Sequence, residues 1–362
     1  MKKLVIKTFI LLLLFSLKLI ASQPIDSLIQ KKRNTNFGTL FKKSDTLKFN
    51  IITDMKSLLR DRGDKPIYHL GKTSYKTIKG KTVTLPIKIR VRGNFRKKTE
   101  NCNFPPLLLN FDKKNKGNSV FNQQNRLKLV THCISRDNIV KEELVYRIYN
   151  ILTEQSFKTR LAQVTYIDSA GKRKPEQKRA FLLEDELILG KRLKAKPYVK
   201  VRLRQNLVDS LAMAKVAMFQ FMIGITDWSV PFQHNIKLYT PKKGMPLPVP
   251  YDFDHSGIVN ASYALPAAEL NIATVRERLY RGIYYPESII NEIINQFLEK
   301  KEAIYNLYRN NKALDKSYIK DTIQYLDEFY EIVKNEKKLK SLIYDQGLKN
   351  SSGGVVIKGL NN

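Results

Sequence analysis

Apolar residues follow two periods along this chain, and the switches between them mark its elements. Over residues 84–91 (TLPIKIRV) Leu85, Ile87, Ile89 and Val91 alternate with Lys88 and Arg90, the period of two of a half-buried strand. A turn containing glycine is predicted at 92–98. LLLNF at 107–111 and RLKLV at 126–130 read as short strands on either side of a polar loop at 113–119. At 139–152 the period changes, and Val140, Leu144, Ile148 and Ile151 form one stripe of a helix. Residues 161–168 and 178–185 predict a strand pair around a polar loop with Gly171 and Pro175. Residues 207–224 are apolar on nearly all sides and predict a buried helix. Two short strands, 235–239 and 247–253, flank a turn at PKKG (241–244). Amphipathic helices are predicted at 287–308 and 317–343. Residues 23–45 read as a polar lead-in and 346–362 as a flexible tail.

Charge and the N-terminus narrow the setting. The chain has 362 residues and a formal net charge of +32. Lys2, Lys3 and Lys7 precede an apolar run at 9–15, too short to span a bilayer, and small residues follow at Ala21 and Ser22. Residues 1–22 therefore predict a cleaved export signal, with no membrane anchor after cleavage and a destination in the periplasm, the cell envelope or the medium. Loss of four lysines and no acids leaves +28. The basic clusters at 96–98, 172–174, 191–196 and 337–340 are scattered and accompany no nucleic-acid-binding motif, so nucleic acid is not an expected partner. The two cysteines, Cys102 and Cys133, predict one disulfide in an oxidising compartment.

Chemistry concentrates between 226 and 257. Asp227 and Asn235 sit in one loop after the buried helix (TDWSVPFQHN), and Asp252 and Asp254 end the following hairpin (VPYDFDHSG). Metal-dependent phosphoryl transfer needs such a set: one carboxylate takes the proton of the attacking hydroxyl, while an amide oxygen and further carboxylates hold a metal against nucleotide phosphates. Asp227 is the candidate base, and Asp252, Asn235 and Asp254 are candidate ligands of Mg²⁺ or Mn²⁺. Asp252 and Asp254, two apart on a strand end, face the same way and repel unless a cation lies between them. Each has a plainer alternative: Asp227 as a turn residue, Asn235 as a cap.

A nucleotide site also needs a cation and an acid to hold it. Lys128, on the strand before the 139–152 helix, is the candidate cation. Glu143 or its neighbour Glu142 is the candidate partner, with Glu143 preferred. Gly93 lets backbone N–H groups approach phosphate, and Glu184 ends the strand where an adenine-contacting segment begins.

RVRGN (90–94), AFLLEDE (180–186), TDW with HN (226–235) and PYDFD (250–254) together resemble the CotH family of spore-coat kinase-like proteins, and more distantly HipA-type kinases. The resemblance spans about residues 85–260. It implies an α+β, two-lobed protein-kinase-like fold, with a mostly β N-lobe carrying one helix at 46–186 and a helical C-lobe at 187–345. It also implies ATP as phosphate donor, a protein or cell-envelope hydroxyl as acceptor, Asp227 as catalytic residue and Asp252 as metal ligand. Eight positions separate Asp227 from Asn235, and the glycine-rich loop is reduced to one Gly. The alternative is a pseudokinase or an envelope binding protein with a basic surface and no turnover.

Overall fold

The strands predicted from alternation are present, but they close on themselves. A computed structural model describes residues 40–112, 117, 119–134, 137–199, 202–353 and 357. The expected export signal and nearly all of the expected lead-in lie outside the described residues. Seven strands appear first: β1 (Leu47–Thr53), β2 (His69–Lys76), β3 (Thr82–Val91), β4 (Leu107–Phe111), β5 (Arg126–Thr131), β6 (Thr159–Asp168) and β7 (Glu176–Leu183). They form a closed barrel in the order β1-β2-β3-β4-β5-β7-β6. The closing contact is the parallel pair of β1 with β6, in register from Leu47 opposite Ala162 to Thr53 opposite Asp168.

This closed barrel overturns the expected two-lobed kinase-like fold with a β N-lobe and a helical C-lobe. All described residues also fall within one compact unit. The reason is edge pairing. Local periodicity finds β6, but neither β6 nor β1 announces that their edges pair across more than a hundred residues. Once they do, the barrel sheet has no open edge.

The barrel interior is filled from alternate positions, as period two demands. Leu85, Ile87, Ile89 and Val91 of β3 are buried with Phe49, Ile51, Leu107, Leu109, Phe111, Leu127 and Leu129. At Gly71 of β2 a side chain has no room, because a Cβ there would lie 2.7 Å from the Ile52 carbonyl oxygen. The outer faces of β5 and β7 carry a second core. Val130, Phe181 and Leu183 pack there with α2 (Asn138–Leu152), which follows α1 (Met55–Arg60) in the chain.

After β7 come α3 (Glu186–Arg192), β8 (Ala195–Pro197), α4 (Ser210–Ile223), β9 (Ile236–Pro241) and β10 (Leu247–Pro250). Strands β8 to β10 form a small separate sheet in the order β10-β9-β8. Helices α5 (Glu287–Glu299), α6 (Lys301–Arg309) and α7 (Lys316–Lys334) join the second core through apolar stripes. Residues Gln346–Gly353 form a helix where a flexible tail was expected. Among the described residues, no helix is long and apolar enough to cross a membrane.

The predicted disulfide is present. Cys102 and Cys133 are bonded, joining the segment before β4 to the residues after β5. The two are 31 positions apart, and a loop of that size implies about 3–4 kcal/mol of stabilisation in the chain-entropy picture. A disulfide suits an oxidising compartment.

Candidate functional site

Helix α4 aims the first acid. Asp209 caps its start, accepting a hydrogen bond from the Ala212 N–H at 2.9 Å. Gly224 ends it at φ +66°, a left-handed cap. A Cβ at Gly224 would lie 2.0 Å from the Tyr325 hydroxyl, so packing and backbone both require glycine. The chain then turns out to Asp227. The same helix end is tied to the segment beyond Asp254: the Gly257 N–H donates to the Gly224 carbonyl at 2.8 Å and the Ile258 N–H to the Ile223 carbonyl at 3.0 Å.

The β9–β10 hairpin brings the other two residues in. Ile236 pairs with Pro250, and the Tyr251 N–H donates to the Asn235 carbonyl at 3.0 Å. Asn235 and Asp252 thus leave the same end of one hairpin. Both, with Gln233, have positive φ (51°, 63° and 48°). For Asp252 this conformation is uncommon and costs energy, a pattern often found at functional sites.

Asp227 is held from two sides. His234 Nε2 lies 2.9 Å from Asp227 Oδ1, and Asn235 Nδ2 donates to Asp227 Oδ2 at 3.1 Å and to the Asp227 carbonyl at 2.7 Å. Burial pushes the Asp227 carboxyl up, but the hydrogen bond and charge of His234 outweigh it and hold the pKa below the ordinary value. Burial likewise pushes His234 down, and Asp227 more than offsets this, so the imidazole lies above its usual 6.5. The sign of the linkage follows. The raised His234 stabilises fully below about pH 6.5 and loses that contribution as pH rises through its folded pKa; the depressed Asp227 contributes above about pH 3.8 and is lost in acid. Between these limits the pair is intact. His234→Gln should therefore flatten the fall in melting temperature above pH 6.5; identical pH profiles for wild type and variant would refute the pairing.

Asp252 is left available. Its N–H donates to the Tyr146 hydroxyl at 2.8 Å. Among the described residues nothing hydrogen-bonds or ion-pairs its half-buried carboxylate. Burial raises its pKa, the neighbouring Asp254 adds to this, and Arg92, Arg96 and His255 oppose it. Asp254 is buried and accepts from the Tyr263 hydroxyl at 2.9 Å.

Lys128 does not meet Glu143 or Glu142. Its Nζ bonds Glu186 Oε1 at 2.8 Å, and Lys237 approaches the other oxygen at 3.6 Å. Both ammonium groups flank the Tyr251 ring, at 5.6 and 5.4 Å from its centroid. Burial depresses the Lys128 pKa, and the charge of Arg92 depresses it further. Two lysines and Arg92 against one acid leave a net positive locus beside Asp252.

Glu143 is occupied elsewhere, accepting from Arg147 at 2.8 Å and from Thr159 at 3.0 Å. Glu184 is likewise spent: it accepts from Arg192 at 2.8 and 3.1 Å and from the Lys158 N–H at 3.0 Å. Both carboxylates are thus engaged within the fold, and neither meets Lys128. Gly93 adopts φ +88°, and open space around its Cβ position shows that conformation, not close approach, requires the glycine.

Arg96, three residues on, has a role that sequence reasoning missed. Its side chain is buried, donating to Glu142 Oε2 at 3.2 Å and to the Thr131 carbonyl at 2.6 Å, and lying 3.9 Å from Asp254. Burial opposes its charge, but Glu142, Tyr263, Asp254 and Asp252 hold its pKa above the ordinary value. Beside it Phe95 packs on His255 and Tyr263, at 5.4 and 5.5 Å. A basic residue in a glycine turn was the only sequence signal. Glu186, quoted as the last letter of AFLLEDE, was a better partner for Lys128 than either helix acid.

A divalent cation can be tested against these donors. Among the described residues no group of three or more His, Cys, Asp and Glu is placed to hold a metal. Magnesium in phosphoryl transfer needs fewer, because one or two carboxylates suffice when phosphates complete the shell. The Asp252 carboxylate and the Asn235 amide oxygen, at the same end of the hairpin, are hard donors of the type that cation takes and have no hydrogen-bond partner among the described residues.

No protein-family model, curated protein or solved structure matches this chain.

Proposed function

We propose that this protein transfers a phosphoryl group from ATP to a hydroxyl acceptor, and that it is an exported, CotH-like enzyme in its chemistry. The observation that carries the reading is Asp227, anchored by His234 and Asn235 at 2.9 and 3.1 Å on a hairpin end that also presents the unpartnered Asp252 carboxylate. Asp227 orients the acceptor hydroxyl and takes its proton. Asp252 and the Asn235 oxygen, with Asp254 beside them, hold Mg²⁺ or Mn²⁺. When bound, that ion offsets phosphate charge. Lys128, Lys237 and Arg92 form the positive locus for the phosphates, and Glu186 orients both lysines.

The experiment is ligand-dependent melting. Mg²⁺–ATP at about one hundred times its Kd should stabilise the wild type by about 2.7 kcal/mol. Asp252→Ala should abolish most of that shift, since a hard cation needs the carboxylate oxygen, while leaving the unliganded melting temperature near wild type. No shift in the wild type with either metal removes the reading.

One observation favours the second reading, a binding protein without turnover. Arg96 already supplies a positive charge to Glu142 and Asp254, where an active site would spend its metal. Nucleotide-dependent stabilisation without labelled transfer to any acceptor would select that reading.

A further inference from the structure

The segment 92–106, between β3 and β4, delivers a cation to the acid site, and its own fold is braced. Cys102 is bonded to Cys133. Arg62, just after α1, donates to the carbonyls of Cys102 at 2.8 Å and Asn103 at 2.6 Å. Within the segment, Asn101 Nδ2 donates to the Phe95 carbonyl at 2.9 Å. Arg96 follows Phe95 and so enters from a held loop. Its Nη2 donates to the Thr131 carbonyl, two residues before the bridged Cys133.

Arg96 meets acids from two other elements. Glu142 comes from α2 and Asp254 from the segment after β10. Nη1 donates to Glu142 Oε2 at 3.2 Å and lies 3.9 Å from Asp254 Oδ2. All three residues are buried. The second oxygen of Glu142, Oε1, is buried with no hydrogen-bond partner among the described residues. Buried carboxylates on separate elements repel unless a cation lies between them. In a site that takes Mg²⁺ or Mn²⁺, a divalent ion can play that part. Here a side chain plays it.

We infer that Arg96 is a built-in cation, standing where a second divalent ion would bridge Glu142 to Asp254, so that the site takes a single exchangeable ion at Asp252 and Asn235. The inference deepens the phosphoryl-transfer reading and rests on it for the single ion; the place of Arg96 between the two acids does not depend on it. Arg96 is a positioning residue, acting through those acids. A guanidinium keeps its charge and cannot dissociate. The acids therefore hold their arrangement each time the exchangeable ion leaves.

The probe is Mn²⁺, added to the full chain. With a non-hydrolysable ATP analogue present, electron paramagnetic resonance should count a single tightly bound ion per wild-type chain. Without nucleotide, Arg96→Ala should bind Mn²⁺ about tenfold or more tightly than wild type, because two carboxylates become open to a hard cation. Mn²⁺ should also recover at least half of the melting temperature lost by Arg96→Ala, and a chelator should reverse the recovery. Adding Glu142→Gln to Arg96→Ala should abolish the gain in Mn²⁺ affinity, which a merely structural role for Arg96 would not predict. If Arg96→Ala does not fold in metal-free buffer, refolding with Mn²⁺ is the same readout: structure with the ion and none without it. Two tight ions per wild-type chain, or no gain from Mn²⁺ when Arg96 is removed, overturns the inference. A wild type that holds no nucleotide removes the transfer reading, while the nucleotide-free measurement on Arg96→Ala still decides what Arg96 does, so the two failures are distinct.

Discussion

Phosphate transfer by an Asp227→Asn protein is expected to be slower than wild type by about 10²–10⁴-fold, the usual worth of a general base. Nucleotide binding should be almost untouched, because Asp252, Lys128 and Lys237 remain. The substitution keeps the shape of the side chain and an oxygen that can still accept one bond from His234 or Asn235. It removes the charge that holds His234 above its ordinary pKa. The fold should lose about 1 kcal/mol, the net value of an ordinary hydrogen bond. Single-turnover transfer of labelled phosphate, run beside melting curves, separates the possibilities. An unchanged rate would show that Asp227 is a turn residue. A collapse of stability matching the loss of rate would assign it a purely structural role.

Arg96→Met should be strongly destabilising, costing about 3–5 kcal/mol, the range for removing one partner of a buried ion pair. Glu142 is 1 % exposed, and Arg96 is the side chain that bonds it. Methionine fills the space but leaves Glu142 and Asp254 facing each other without a cation. Glu142→Gln in the same protein should recover much of the loss, because it removes the stranded charge. Lysine should rescue poorly, since Arg96 reaches Glu142 and the Thr131 carbonyl with two different nitrogens, a fork that lysine lacks. Urea denaturation of the four proteins makes the test. A cost below about 1 kcal/mol for Arg96→Met, the level of an exposed pair, would show that the cluster is not what holds the loop at 92–98 against the acids.

Several parts of this protein were readable from residue order alone. Alternation in β3 put Leu85, Ile87, Ile89 and Val91 on one face, and all four are buried in the barrel. The all-round apolar run at 207–224 became α4, buried on nearly every side and ended by Gly224. The hairpin around 241–244 was visible in its turn residues, and with it the approach of Asn235 to Asp252. The two cysteines announced their own bridge. In each case the deciding interaction is local, or is forced by a residue type with few alternatives.

What failed was non-local. Lys128 was assigned to a helix acid because position along the chain was the only guide. The structure gives it Glu186, 58 residues on, because β5 pairs with β7 and so places Lys128 opposite Leu183, at the root of α3. Glu143 and Glu184 were equally plausible by type, but Arg147 and Arg192 take their carboxylates. Arg96 had no periodic signature, and its importance comes from three elements meeting around one buried guanidinium.

The sequence by itself determined most of the strands, the buried helix, the disulfide and the loop that carries Asp227 and Asn235, because hydrophobic period, turn chemistry and cysteine scarcity act over a few residues. Only the tertiary structure decided that the strands close into a barrel and which acid each cation meets. A parallel seam between β1 and β6 and ion pairs between distant elements depend on where whole surfaces land, and no short stretch of residues encodes that.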